Sequence, residues 1–238
     1  MNLMNVKGCG VFQPKDGLTA EECEDAFAGD ATAGRFAIAD GATEGCFSGS
    51  WARLLVDEFL VTPIDDLTVG AWVEIARKKW GQTVDPLIVP WYIEVKRQTG
   101  AFATFLGVAV DPTGWQAFAV GDCCLVHLSG DDVRRAFPIE TAVVFDNIPD
   151  LIPSRPDPTS PGIATAASGY DSGDWLFLMT DALAAWALKQ WEAGRPMWNQ
   201  LRTCISAANP AEAFAENVPG WRVGGMRNDD VTLLAVRL

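Results

Sequence analysis

Four aspartates stand where apolar, β-prone runs begin or end. Asp40 closes FAIAD ahead of Gly41, Asp122 closes AVGD, Asp181 follows LFLMT, and Asp229 precedes the run DVTLLAVRL. A strand fixes the backbone beneath such a carboxylate, so its oxygens can be aimed into a cleft at the strand end. Carboxylates gathered at one place repel one another, because neighbouring like charges disfavour joint ionisation. A hard divalent cation removes that conflict, and an oxygen-only ligand set suits magnesium, manganese or calcium rather than zinc or copper.

The elements needed to position these groups are legible in outline. Residues 4–13 read as a first strand, 14–34 as a turn-rich acidic stretch, and RFAIAD as the strand that delivers Asp40. From Ser48 to Leu60, Trp51, Leu54, Leu55 and Phe59 recur at helical spacing, with further helices expected within 66–82 and around 87–98. From Phe102 the period becomes that of strands: AFATFLGVAV, WQAFAV, the corner at Gly121 and Asp122, CCLVHL and VRRAFPI, read as consecutive antiparallel strands. Five prolines between 149 and 161 mark an irregular, ordered excursion expected over or beside the cleft. DWLFLMT is the strand before Asp181, helices follow around 182–193, 195–207 and 210–216, and VTLLAVRL closes the fold as a strand. Segregated runs of helices and strands give an α+β fold, a sandwich of antiparallel sheets covered by helices.

Composition narrows the function classes. A chain of 238 residues, 49% hydrophobic, has the core of one domain spanning 1–238. Its formal charge of −13 argues against nucleic acid as a partner, since phosphate backbones need a basic stripe; most of that charge is a solvated surface. Cys9, Cys23, Cys46, Cys123, Cys124 and Cys204 lack metal-ligand spacing and read as buried thiols of a reducing compartment. No signal peptide or membrane span is expected, so the chain reads as a cytoplasmic monomer.

The motifs CEDAF (23–27), FAIADG (36–41), GAFATF (100–105), AVGD (119–122), LFLMTDAL (176–183) and DDVTLL (229–234) together resemble the metal-dependent serine/threonine phosphatases of type 2C, in order and over nearly the whole chain. The resemblance implies a four-layer sandwich of two antiparallel sheets flanked by helices, using two Mn²⁺ or Mg²⁺ ions and a third, weaker one. It implies that Asp40 bridges the two ions and that the Gly41 carbonyl serves the second. Asp181 and Asp229 complete the first, and Glu24 holds the second in part through water. Asp25 would orient a metal-bound water, and Asp122 with Asp181 would hold the third ion. Two ions about 3.5–4 Å apart activate a bridging water for in-line attack on phosphorus, and no protein nucleophile is required. The implied partner is a phosphorylated protein.

The chain departs from the family pattern at three alanines. Ala42 replaces a histidine after the Asp-Gly pair, Ala182 replaces a glycine after Asp181, and Ala20 replaces an arginine that grips the substrate phosphate. Lys15 is the nearest upstream cation and the candidate replacement for that arginine.

Taken singly, each acid has an ordinary reading. Asp40–Gly41 makes a strand-ending turn, Asp181 or Thr180 a helix cap, Asp122 a hairpin corner, and Glu24 and Asp25 belong to a solvated acidic run. His127 reads as a packed strand residue. The joint order of the motifs favours an enzyme that hydrolyses phosphoserine or phosphothreonine in proteins. The competing reading is a weak or silent phosphatase-like module that binds phosphoproteins. A phospho-aspartyl enzyme is disfavoured because Ala42 stands where a second aspartate would be needed.

Overall fold

The computed structural model describes residues 6–42, 45–62, 69–145, 148–157 and 162–238. Its strands form two sheets in which every pair of neighbours is antiparallel. The first runs in the order β1 (Lys7–Gln13), β11 (Val231–Arg237), β10 (Trp175–Met179), β6 (Cys124–Ser129) and β7 (Asp132–Phe137). The second runs β2 (Asp25–Asp30), β3 (Arg35–Gly41), β4 (Phe102–Asp111), β5 (Gly114–Val120) and β9 (Ala164–Ser168), with the short β8 (Ile152–Pro153) added beside the start of β4.

Alternation along each strand builds the layers, because successive side chains point to opposite faces. Phe36, Ile38, Leu106, Val108, Leu176, Leu178, Leu234 and Val236 fill the space between the sheets. Their neighbours in sequence turn outward. Ala37, Ala39, Ala103 and Phe105 meet α1 (Ser48–Val61) and α2 (Val69–Val84). Phe177, Met179, Leu233 and Ala235 meet α4 (Asp181–Glu192), α5 (Met197–Ile205) and α6 (Pro210–Val223). The result is helices, sheet, sheet, helices, as the sequence leads one to expect. Cys123 and Cys124 follow the same rule: Cys123 faces the inter-sheet layer and Cys124 the helices.

The structure differs from the sequence reading at four places. β2 lies inside the stretch read as turns, where Ala26, Ala28 and Gly29 have weak strand propensity; pairing along all six residues with β3 supplies what propensity lacks. The four strands after Phe102 are two hairpins on different sheets. At Gly121, φ +88°, the chain crosses from β5 to β6, and a Cβ there would meet the Asp150 carbonyl oxygen at 2.6 Å. β9 was also missed, because ATAAS carries no apolar signal. Finally, α6 continues through Pro219 to Val223, since Phe214, Val218 and Trp221 bury one face against the core and outweigh the proline. The helix after α2 is α3 (Trp91–Thr99), with Pro90 at its N-cap.

Candidate active site

Asp40, Asp122, Asp181 and Asp229 line one cavity of about 570 Å³, together with Gly41 and Thr104. Each carboxylate arrives on a different element: the end of β3, the crossing between the sheets, the first turn of α4, and the approach to β11. Close packing of α1 holds the β3 end in place. A Cβ on Gly41 would come within 2.7 Å of the Ser48 carbonyl carbon and 2.9 Å of the Glu24 carbonyl oxygen, so only glycine lets the helix start there.

Asp25 stands directly opposite Asp40 across the β2–β3 ladder. One of its oxygens, Oδ2, accepts hydrogen bonds from Thr180 Oγ1 (3.0 Å) and Thr232 Oγ1 (2.7 Å). The other, Oδ1, is buried with no hydrogen-bond partner. Burial, with the Asp230 and Asp181 charges adding to it, pushes the Asp25 pKa up to about 8 against the two threonine hydrogen bonds. Burial also drives Asp40 well above the usual carboxylate range, and Asp25, Asp181, Asp122 and Asp229 reinforce the shift. Asp181 is raised by burial, while Arg227 opposes the rise. These acids therefore sense one another's charge.

Among the described residues, no three acidic, histidine or cysteine side chains already close around one point as a ligand cage. A cation of the chain itself takes up part of the charge: the Arg227 guanidinium pairs with Asp181 and reaches Asp229 Oδ2 at 3.1 Å.

The remaining expected residues are placed as follows. Glu24 is half-buried beside the same strand ends; its N–H donates to Asp230 Oδ2 at 2.8 Å and its carbonyl accepts from Gly41 N–H. Lys15 is half-buried and does not line the cavity. What fixes it is a backbone hydrogen bond to Asp230 Oδ1 at 2.8 Å, which ties the loop after β1 to the start of β11. Ala42 lines the cavity, Ala20 opens a short exposed 3-10 helix, and Ala182 is buried within the first turn of α4. His127 is fully buried in β6, where it accepts from Trp115 Nε1 (3.2 Å) and faces Asp174 Oδ2 (3.0 Å), far from any role as a cavity acid. Of the proline-rich excursion, 148–157 is described and its Ile148, Pro149 and Leu151 form one wall of the cavity; 146–147 and 158–161 lie outside the described residues.

Sequence reasoning missed Thr180 and Thr232 as supports for Asp25, Asp230 as a tie, and Arg227 and Lys96 as cations at or beside the site. The threonines carried a signal: Thr180 precedes Asp181, and Thr232 lies three residues after Asp229. Lys96 carried none.

The sequence matches no protein-family profile and no curated protein. The three-dimensional structure does match solved ones across 98% of the chain. PppA, described as a key regulatory component of the T6SS in Pseudomonas aeruginosa, is 20% identical with a TM-score of 0.62, and 97% of that chain is covered. The Mycobacterium tuberculosis serine/threonine phosphatase PstP/Ppp is 14% identical with a TM-score of 0.64 over 98% of its chain. The chain has the type 2C phosphatase fold. RsbX, solved with magnesium, is a further type 2C-like neighbour at 17% identity and a TM-score of 0.56, covering 95% of that chain. The PstP catalytic domain is solved with two manganese ions.

Against that type 2C frame, the residues present fit a divalent cation. They are all hard oxygen donors, Asp40, Asp122, Asp181 and Asp229 share one cavity, burial and then the neighbouring carboxylates raise the Asp40 pKa, and a buried Asp25 oxygen lacks a partner.

Proposed function

We propose that the chain is a metal-dependent phosphatase acting on phosphoserine and phosphothreonine in proteins. The observation that carries this reading is the convergence of Asp40, Asp122, Asp181 and Asp229 on one cavity, with Asp25 behind Asp40. Asp40, Asp181, Asp229, Asp122, Glu24 and the Gly41 carbonyl are the groups to hold Mn²⁺ or Mg²⁺. When bound, the ions supply an activated water and neutralise the phosphate charge.

The chain's own residues do the rest. Asp25, held by the hydroxyls of Thr180 and Thr232 and opposite Asp40, keeps one buried oxygen without a partner, which is the group to orient a water held beside Asp40. Ala42 leaves no side-chain acid after Asp40, so the proton for the leaving oxygen comes from solvent in the cleft. Ile148, Pro149 and Leu151 keep bulk water from one side of the reacting phosphate. Six unpaired thiols fit a reducing, cytoplasmic setting, and the description of PppA as a regulatory component fits a role in signalling.

A silent, binding-only module is the second reading, favoured by the Arg227 ion pairs with Asp181 and Asp229. Release of phosphate from a phosphothreonine peptide and from p-nitrophenyl phosphate separates the two. Turnover that needs manganese and stops with chelator supports the enzyme. Peptide binding without turnover at any manganese concentration supports the module.

A further inference from the structure

Helix α3 presents two different surfaces to the outside. Arg97 anchors it: its guanidinium donates to the carbonyls of Val84, Asp85 and Leu87 at 3.1, 2.7 and 2.8 Å, clamping the helix to the end of α2. The side of α3 opposite Arg97 carries Trp91, Val95 and Thr99, spaced four apart and so stacked on one face. Trp91 and Val95 are 80% and 61% exposed, and Ile88, just before the helix, is fully exposed. Thr99 lines the active-site cavity, and so does its neighbour on the helix surface, Lys96.

Lys96 is the one cation among the described residues that line that cavity, whose other charged groups there are four aspartates. A substrate phosphate carries up to two negative charges, and a lysine provides a compact, mobile cation to receive them. The lysine expected from sequence for this task, Lys15, is elsewhere. Exposed apolar side chains grouped on one face, running into a cleft, mark a place where a partner is bound.

We propose that α3 is the substrate-recognition helix: Lys96 contacts the phosphate, and Ile88, Trp91 and Val95 take apolar residues of the same phosphoprotein segment. This inference rests on the phosphatase reading above. The continuity of the apolar stripe with the cavity through Thr99 commits the occupant to an extended segment whose phospho-residue sits in the cleft. Its apolar side chains then lie outside the cleft along α3. Val95 and Trp91 lie four and eight residues from Thr99, about 6 and 12 Å along the axis. An extended chain advances about 3.3 Å per residue, so the apolar positions fall roughly two to four residues from the phospho-residue.

The test uses the manganese-loaded full chain with p-nitrophenyl phosphate and with phosphothreonine peptides whose flanks are either apolar or polar. Loss of the Lys96 charge in Lys96→Ala should raise KM for every substrate and weaken inhibition by inorganic phosphate about tenfold, the scale of one charge-assisted contact. Lys96→Arg should recover most of both. The exposed double substitution Trp91→Ser with Val95→Ser should raise KM about tenfold for the apolar-flanked peptide only, leaving p-nitrophenyl phosphate and the polar peptide unchanged.

Undiminished phosphate inhibition in Lys96→Ala, or a kept preference for apolar flanks in the double variant, overturns the assignment of α3. So does a wild-type dimer in sedimentation that the double variant dissolves, since the stripe would then serve a second copy. If the wild type hydrolyses nothing, the phosphatase reading falls. The α3 assignment is then decided by fluorescence-detected binding of the same peptides to the same variants.

Discussion

Asp25 and Asp40 are directly opposed residues of neighbouring antiparallel strands, so two carboxylates face each other across the β2–β3 ladder. Like charges placed this way destabilise a sheet. Burial, with the Asp230 and Asp181 charges adding to it, raises the Asp25 pKa to about 8 from an ordinary 3.8, and burial followed by the Asp25 charge raises Asp40. Between these values the folded chain binds more protons than the unfolded one, so stability of the metal-free protein falls as pH rises from about 4 to about 8. Urea midpoints in chelator at about pH 5 and about pH 8 measure this. A midpoint that stays level or climbs would contradict the shared-charge account, and Asp25→Asn should flatten the slope.

Asp40→Asn removes the carboxylate on which the other four acids act. The metal-free variant should be more stable than wild type near neutral pH, because repulsion with Asp25, Asp181, Asp122 and Asp229 is relieved. Manganese-dependent hydrolysis should drop by about 100-fold or more, corresponding to roughly 2.7 kcal/mol of lost transition-state stabilisation. Denaturation and turnover of the same preparation check both halves. A variant that is destabilised, or that keeps wild-type turnover, counts against a shared metal centre at Asp40.

Arg227 occupies part of the charge field that a metal ion would otherwise fill, by pairing with Asp181 and Asp229. Bound metal must displace or outcompete that guanidinium. Arg227→Gln should therefore bind manganese about tenfold more tightly, a gain of about 1.4 kcal/mol. Calorimetric titration with manganese chloride reads the change without any substrate. Weaker binding in the variant would show that Arg227 supports the metal site instead of competing for it.

His127 joins the two sheets, since Trp115 belongs to β5 in one and His127 to β6 in the other. His127→Leu strands a buried indole N–H and removes a partner of the Asp174 carboxylate, at a cost of about 3 kcal/mol. Turnover of the folded variant should be unchanged. Burial lowers the His127 pKa, so below about pH 6.5 the unfolded chain gains a proton that the folded one resists, and stability falls with falling pH. The variant should lose that part of the acid sensitivity.

The layers were legible because FAIA, LFLM and VTLLAV are apolar, β-prone runs, and each is flanked by an aspartate at the site. What stayed hidden depends on contacts between distant residues. β2 is built from residues of weak propensity and is held by β3. The sheet change at Gly121 depends on how closely Asp150 approaches, which a local pattern does not record. Asp40, Asp122, Asp181 and Asp229 announced themselves through strand ends, whereas Lys96 sits on a helix whose position is set by Arg97 gripping the end of α2. Lys15, chosen for nearness in sequence, illustrates the converse: a neighbour along the chain is tied through its backbone to Asp230 and stays outside the cleft.

β11 is inserted between β1 and β10, and the residues just before it supply Asp229 and the Asp230 carboxylate that receives Lys15 and Glu24. A ribosome delivers Asp25, Asp40 and Asp181 well before it delivers this strand. Throughout that interval β1 lacks its partner and the acidic cluster lacks a member, so the nascent chain carries an open sheet edge and an unfinished centre. Docking of β11, Val231–Arg237, closes both together, so the full set of acids is assembled only once this whole strand has been made.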